Sequence, residues 1–428
     1  MKALVIGSGG REHCIAWKLK QSSQCDEVLV LPGNPGMNQD DGLRTVSGEI
    51  NADAIQQISI QEQIDLIVIG PEAPLCQGLA TELRSRNLVC FGPDKEAAKL
   101  ESSKIFSKEL MIKANVPTTD FKSFENSASA QTFIAESGWN NFVVKLSGLA
   151  AGKGVFVCQD SAQAKDAVKK IMDENLLGVE DRSLLIEKTA KGKEVSAFVV
   201  CDGVDYQFLG YACDYKRIRD GDSGPNTGGM GTYSPVDWVT KRLHQNVIER
   251  VVEPTLHQLK NEGNQFQGIL FIGLMVEDEN NFNVLEYNVR LGDPETQVLL
   301  PLYEGDLFEL FFTAAKGKIT KQQVTENTGA AVHVVCSAYG YPGTEGVPVR
   351  KGDQIEVSPE LLNSKDNEDS KVFFAGVKEV NGKLQTNGGR VLGITCLAND
   401  KSSARQKAYS RIEGIRFQDM FFRKDIAK

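Results

Sequence analysis

Three polar residues at alternate positions, Glu286, Asn288 and Arg290, carry the strongest chemical signal in the sequence. Read as a strand, the segment puts these three on one face and Leu285, Tyr287, Val289 and Leu291 on the other, toward a core. A carboxylate and an amide oxygen are hard donors suited to Mg²⁺, an ion that usually also binds substrate phosphates. An arginine next in line suits a carboxylate or a phosphate. Gly292 turns the chain. Asp293 is expected to cap a helix with Pro294 at its first position, running through Thr296 to Leu300. The ordinary alternative is an exposed edge strand with unrelated charges. It accounts less well for complementary groups in register before a capped turn.

Other segments could deliver phosphates to that face. Phe142–Leu146 reads as a strand carrying Lys145, and Val155–Cys158 as its neighbour. The loop between them includes Gly148, Gly152, Lys153 and Gly154. Its glycines present backbone N–H groups without bulky cover, as close approach to a triphosphate requires, and Lys153 adds charge. It is not a Walker loop, because the G-K-[ST] end is absent and a strand follows where a helix should. Lys104 lies in an expected helix over residues 94–115. Glu187 and Glu194 flank a strand crossover. Each of these alone is more simply a solvated charge. Asp214-Tyr215-Lys216-Arg217 precedes a long segment, Asp220 to Gly231. A loop of that length without structure of its own, and without the charge runs of disorder, is expected to cover a substrate.

The elements that must position these groups fall into three blocks. Residues 2–6, 28–31, 66–69 and 88–91 are short apolar strands alternating with helices, which predicts an open parallel sheet with its loops gathered at the strand C-termini. The first loop, Gly7-Ser8-Gly9-Gly10-Arg11-Glu12, is a weak dinucleotide fingerprint: Glu12 occupies the third glycine's place, and the second strand ends in Leu31-Pro32-Gly33 with no acid for a ribose. A nicotinamide-linked oxidoreductase is therefore disfavoured, although the helix N-terminus could hold a phosphate. A central block follows. From about Ala330 the sequence turns β-rich and reads as a separate small α+β domain.

Composition sets the outer bounds. The 428 residues suffice for two to four domains, with 41% hydrophobic and 25% charged residues. A net charge of −9 argues against nucleic acid or an anionic membrane as the main partner. Nine scattered cysteines with no C-x-x-C pair suit a reducing, cytoplasmic setting, and four histidines without zinc-like spacing make a histidine metal site unlikely to form. No apolar run approaches the length of a membrane span or has the flanks of a signal peptide.

The chain resembles the glycinamide ribonucleotide synthetase family of ATP-grasp ligases nearly end to end. The likeness rests on Gly7–His13, Pro32-Gly33-Asn34, Gly70–Leu75, Gly148–Val155, Gly224–Gly231, Gly292–Gln297 and Thr386–Arg390. The G-P-N-T-G-G-M-G and G-D-P-E-T-Q runs are specific to the family, whereas the 148–154 loop indicates only the wider ATP-grasp group. The resemblance implies an N-terminal Rossmann-like substrate domain (1–103), an ATP-grasp domain (104–325) with a mobile lid near 120–190, and a C-terminal α+β domain (326–428). It implies ligation of glycine to 5-phosphoribosylamine with ATP as co-substrate and Mg²⁺ or Mn²⁺ as cofactor, through a glycyl phosphate, in purine biosynthesis by a cytoplasmic monomer. Lys104, Lys145, Gly152, Gly154, Glu187 and Glu194 would bind ATP, with Glu187 on the adenine amine and Glu194 on the ribose. Glu286 and Asn288 would hold the metal. Arg290, Asp293, Asp214 and Lys153 would act at the reacting centre. Gly9, Arg11, Glu12, Asn34 and Glu72 would line the phosphoribosylamine site, with Asn226, Thr227 and Gly228 also on substrate. The chain departs from the family pattern at Ser147, Lys188–Ala190, Tyr215 and Phe374. Another ATP-grasp carboxylate–amine ligase, or a non-catalytic nucleotide-binding relative, are the alternatives.

Overall fold

The computed structural model describes residues 1–150, 154–176, 178–320, 329–344, 346–362 and 369–428. Five strands, β1 (Lys2–Gly7), β2 (Glu27–Pro32), β3 (Leu43–Thr45), β4 (Leu66–Ile69) and β5 (Cys90–Phe91), form a parallel sheet in the order β3-β2-β1-β4-β5. Its strands are apolar along their length because helices cover both faces. The helix Gly10–Lys20 leaves the C-terminal end of β1 and packs against the later helix Thr296–Leu302, which brings the first loop to the segment after Asn288.

The expected single helix over 94–115 is two. Lys99–Ser102 ends, and Ser103 restarts the chain as the N-cap of Lys104–Lys113, its hydroxyl accepting the Phe106 N–H at 3.2 Å. Lys104 thereby sits in a first turn, where the helix dipole disfavours a cation. Four strands follow: β6 (Phe121–Phe124), β7 (Phe142–Leu146), β8 (Val155–Cys158) and β9 (Leu184–Lys188). They form an antiparallel sheet ordered β6-β9-β7-β8 with a core of its own, centred on Phe124, Ile134, Phe142, Val144 and Leu184.

The central block holds β10 (Lys193–Asp202), β11 (Tyr206–Asp214), β12 (Arg217–Arg219), β13 (Ser223–Asn226), β14 (Gly231–Ser234), β15 (Gln267–Val276) and β16 (Phe282–Asn288). Beyond it lie β17 (Ala330–Ser337), β18 (Glu356–Val357), β19 (Ser370–Phe374), β20 (Val377–Val380), β21 (Lys383–Thr386) and β22 (Arg390–Ala398). One sheet of eight strands, β16-β15-β10-β11-β14-β17-β22-β19, runs through both blocks. The β-rich C-terminal region continues the sheet of the central block: β14 pairs with β17, and the two blocks share hydrogen bonds across a single sheet. The 220–231 segment also departs from expectation. It is not an unstructured loop, because β12 and β13 pair as a small hairpin within and just before it.

Two details of the 282–296 stretch differ from simple alternation. A bulge opposite Gly273/Leu274 puts both Val284 and Tyr287 into the core and leaves Leu285 half-buried. Asp293 does not cap the helix. Its carboxylate is taken by Arg390 and Gln297, and the helix begins only at Thr296. Tyr287, Val289 and Leu291 are buried as alternation requires.

Phe142 is wholly buried in the small sheet's own core. Phe142→Ala is expected to cost about 3–5 kcal/mol, read by denaturant unfolding, from lost transfer and cavity formation. A loss below about 1 kcal/mol would contradict this account of that core.

Candidate functional site

The site is built where five strands and the first loop converge. β7 supplies Lys145, β9 Glu187, β10 Glu194, β11 Asp214, and β16 with its continuation supplies Glu286, Asn288, Arg290 and Asp293. At one end lie the lysines. Lys104 Nζ donates to the Gly148 carbonyl at 3.1 Å, and its backbone N–H donates to Ser147 O at 2.9 Å. A Cβ on Gly148 would meet open space, so that loop edge is uncovered. Lys145 Nζ donates to Leu285 O at 3.2 Å and pairs with Glu187 at 2.9 Å.

Glu187 is buried and doubly held. Lys108 pairs with its second oxygen at 2.9 Å, and Thr119 donates to that same oxygen at 2.7 Å. Burial alone would raise this carboxyl. Lys145 and Lys108 overcome burial and hold it down at about 2, while burial lowers Lys108 to about 8. The side chain assigned by resemblance to the adenine amine is therefore engaged by two lysines in this structure. Lys108 carries no signal of its own in the sequence, since a lone helical lysine is ordinarily solvated.

The middle of the site is a field of opposed charges. Lys216, two residues after Asp214, pairs with Glu194. Burial would lower Lys216, but Asp214, Glu194 and Glu286 hold it well above its usual range. Asp214 is raised by burial and further by Glu295 and Glu194, against Lys216. Glu286 is raised by burial but pulled below its usual range by Lys216, Lys145, Lys104 and Arg290. It stays an anion because four cations face it.

Asn288 Oδ1 accepts from Arg290 Nη2 at 3.0 Å. Among the described residues no three His, Cys, Asp or Glu side chains converge as a metal cage. One carboxylate and one amide oxygen fit an ion that takes most of its shell from phosphates and water, as Mg²⁺ does.

The far end joins the first sheet. Arg290 Nη2 pairs with Glu101 at 3.0 Å and its Nε lies 3.6 Å from Glu72, while Glu101 accepts the Val289 N–H at 2.8 Å. Arg11 pairs with Glu12, reaches Glu72 at 3.9 Å, and donates to Leu291 O at 3.2 Å. Glu72 is held below its usual range against burial by Arg290 and Arg11. Glu12 accepts the Gly9 N–H at 2.7 Å, and a Cβ on Gly7 or Gly70 would collide with its side chain. The glycines of the first loop therefore make room for Glu12. That carboxylate occupies one of the amides a phosphate could have used.

Asn34 is buried, with its amide nitrogen donating to Ser8 O at 2.8 Å and Phe374 O at 3.1 Å. Its carbonyl oxygen accepts the Gly36 N–H at 3.0 Å. It acts as a joint between the first loop and β19. Asp293 pairs with Arg390 at 3.1 Å and accepts from Gln297 at 3.0 Å. Arg390 also donates to Gly228 O and Asp293 O, each at 2.7 Å.

Thr227 is tied to Lys216 O through its N–H (2.7 Å) and its hydroxyl (2.9 Å). Gly228 N–H donates to the Tyr341 hydroxyl at 3.0 Å, and the Asn226 side chain is exposed. Gly154 is described just before β8, whereas Gly152 and Lys153 lie outside the described residues. Lys108, Lys216, Glu101, Glu295 and Arg390 are the charged residues that sequence reasoning left without a role. Of these, Lys216 (two residues from Asp214), Glu295 (inside G-D-P-E-T-Q) and Arg390 (inside T-N-G-G-R) had a local signal.

Comparison with known proteins places this geometry. Residues 1–101 match the phosphoribosylglycinamide synthetase N domain, 102–296 its ATP-grasp (A) domain, and 331–428 its C domain. The phosphoribosylamine–glycine ligase of Ralstonia nicotianae is 40% identical over 426 residues, covering 100% of this chain and 98% of that one. The trifunctional purine biosynthetic protein adenosine-3 of Gallus gallus is 40% identical over 427 residues, 99% of this chain and 42% of the longer relative. The crystal structure of the Thermotoga maritima phosphoribosylamine–glycine ligase aligns with a TM-score of 0.84 at 34% identity, covering 99% of this chain and 100% of that one. A biotin carboxylase domain from Hydrogenobacter thermophilus shares the fold, with a TM-score of 0.72 at 17% identity over 98% and 91% of the two chains.

The Glu187 cluster yields a pH test. A depressed carboxyl stabilises the fold above the unfolded pKa, near 4.5, and that stabilisation is lost as pH falls toward about 2. Glu187→Gln should be clearly less stable than the wild type at pH 7, and the gap in unfolding free energy should narrow as pH falls below about 4.5. A gap independent of pH would contradict an ionised Glu187.

Proposed function

The chain belongs to the phosphoribosylglycinamide synthetase family, and from that premise we propose a division of labour along the 286–293 segment that performs the family's reaction. The enzyme is an ATP-dependent carbon–nitrogen ligase that joins glycine to 5-phosphoribosylamine in purine biosynthesis. A carboxylate is a poor electrophile until phosphorylated. Phosphoryl transfer asks mainly for positioning and charge neutralisation, so a site of opposed charges without a nucleophilic triad suits it.

Lys104 and Lys145 take the nucleotide phosphates under the 148–154 loop, and Glu194 takes the ribose. Glu187 acts by holding Lys145, while the adenine meets the backbone beside it. Glu286 and Asn288 hold Mg²⁺ or Mn²⁺, which when bound neutralises phosphate charge. Arg290, Asp293 and Asp214 surround the glycine carboxylate and the phosphoryl group it receives. Arg11, Glu12, Glu72 and Gly9 border the phosphoribosylamine on the first sheet, with Asn34 positioning that loop. The 226–228 segment covers the junction. The observation that carries this reading is Glu286, a half-buried carboxylate kept ionised by Lys216, Lys145, Lys104 and Arg290.

Domain limits of 1–103, 104–325 and 326–428, with the 120–190 region as a closing lid, belong to the same reading. Support for the lid is the separate core of its sheet. A monomer in the cytoplasm completes it. Among the described residues no helix is long and apolar enough to cross a membrane.

The decisive assay is phosphate release by the purified enzyme, expected only with glycine and 5-phosphoribosylamine together. Release with a different acid or amine would overturn the substrate assignment. Glu286→Ala should lose most turnover at ordinary Mg²⁺, on the order of 100-fold or more for a charged group acting on the transferring phosphoryl, with the fold retained. Near-normal rates would refute the metal role.

A further inference from the structure

Asp214 and Lys216 stand on opposite sides of Tyr215 in the chain, and both belong to the charge field of the site. Asp214 lies near two other carboxylates, Glu194 and Glu295, which push against it. A group held against like charge needs a backbone that cannot yield. One side of this backbone is held by the 227–232 stretch: Asp214 pairs with Thr232, Tyr215 N–H donates to Gly231 O at 2.9 Å, Met230 N–H donates to Tyr215 O at 2.8 Å, and Thr227 N–H donates to Lys216 O at 2.7 Å.

The other support comes from more than 200 residues further along the chain, in the segment Arg423–Ala427. The Tyr215 hydroxyl accepts the Ala427 N–H at 2.9 Å, and its ring lies 4.8 Å from the Arg423 guanidinium carbon. Arg423 is fully buried, and each of its three nitrogens donates a hydrogen bond. Nε and Nη2 each donate to one oxygen of Asp425 at 2.7 Å. Nη1 donates to Arg217 O at 3.0 Å and to Asp222 at 2.8 Å. Asp425 also accepts the Gly221 N–H at 2.8 Å, and Asp220 accepts the Lys424 N–H at 2.9 Å. The segment therefore grips the β12–β13 hairpin and the ring of Tyr215 together. A buried guanidinium is costly unless it is well paired, and the fork onto Asp425 together with the bonds from Nη1 fixes its geometry.

We propose that Arg423 and the Tyr215 hydroxyl are positioning groups for the ligase reaction: the Arg423–Ala427 segment is a strut that fixes the backbone carrying Asp214 and Lys216. The strut touches none of the reacting groups and acts only through that backbone. The inference rests on the ligase reading of the site.

The test uses the full chain with Tyr215→Phe, Arg423→Lys and Arg423→Gln. Tyr215→Phe removes one acceptor, and a drop in kcat of about 2–10-fold is expected, the size of one net hydrogen bond. Arg423→Gln should lose more, and Arg423→Lys should recover part of that loss. KM for 5-phosphoribosylamine, whose proposed site lies on the first sheet, should stay within about twofold, which separates positioning from general loosening. Amide hydrogen exchange at Tyr215 and Lys216, independent of turnover, should quicken in Tyr215→Phe and Arg423→Gln.

Folded variants with unchanged kcat and unchanged exchange would overturn the strut. If Arg423→Gln does not fold, Tyr215→Phe decides by the same criteria. If the wild type releases no phosphate with glycine and 5-phosphoribosylamine, the ligase reading fails, and the exchange rates alone decide the strut.

Discussion

Charges removed from water must be neutralised by their neighbours, and this constraint governs the centre of the molecule. Glu286 is half-buried, and it stays ionised because Lys216, Lys145, Lys104 and Arg290 face it. Each of those cations has a second attachment. Lys145 is held by Glu187, Lys216 by Glu194, Arg290 by Glu101, and Lys104 by the Gly148 carbonyl. Where the pair is buried, as for Lys145 and Glu187, removing one member leaves a buried charge without a partner, which costs more than the pair contributes.

That arrangement depends on how the chain is knitted. One eight-stranded sheet carries Glu194, Asp214 and Glu286 and continues into the C-terminal block, which returns Arg390 to Asp293. Across the block boundary Glu72 of the first sheet meets Arg290, and Arg11 of its loop, paired with Glu12, donates to Leu291 O. His13 adds a rigid joint. Its Nε2 lies 3.0 Å from Asp40, and its Nδ1 accepts the Phe374 N–H at 2.9 Å. Burial holds that imidazole below its usual pKa. The small four-stranded sheet has its own core and reaches the centre through Lys145, which donates to Leu285 O, and Glu187, which pairs with Lys108.

What was legible in the sequence was local. Alternation over 286–291 identified the polar face, glycine-rich runs marked the loops, and β-α repetition gave the parallel sheet. The family resemblance agrees with the matches over all three domains. What was not legible depends on partners distant in the chain. The bulge at Leu285 is set by its pairing with β15. Glycines at 7 and 70 are explained only by the Glu12 side chain between them. Asp293 looks like a helix cap until Arg390, nearly a hundred residues later, claims its carboxylate. Glu187 looks like an ordinary strand residue until Lys108 and Lys145 close on it.

The central claim is that Glu286 and Asn288 serve metal and phosphate while Arg290, two residues on, serves the small acid. Electron paramagnetic resonance of Mn²⁺, titrated with a nonhydrolysable ATP analogue into wild type, Glu286→Gln and Arg290→Lys, tests that division most directly. The account predicts that wild type and Arg290→Lys remove the free Mn²⁺ signal alike, and that Glu286→Gln leaves it largely free at the same concentrations. Equal sequestration by Glu286→Gln and the wild type would contradict it.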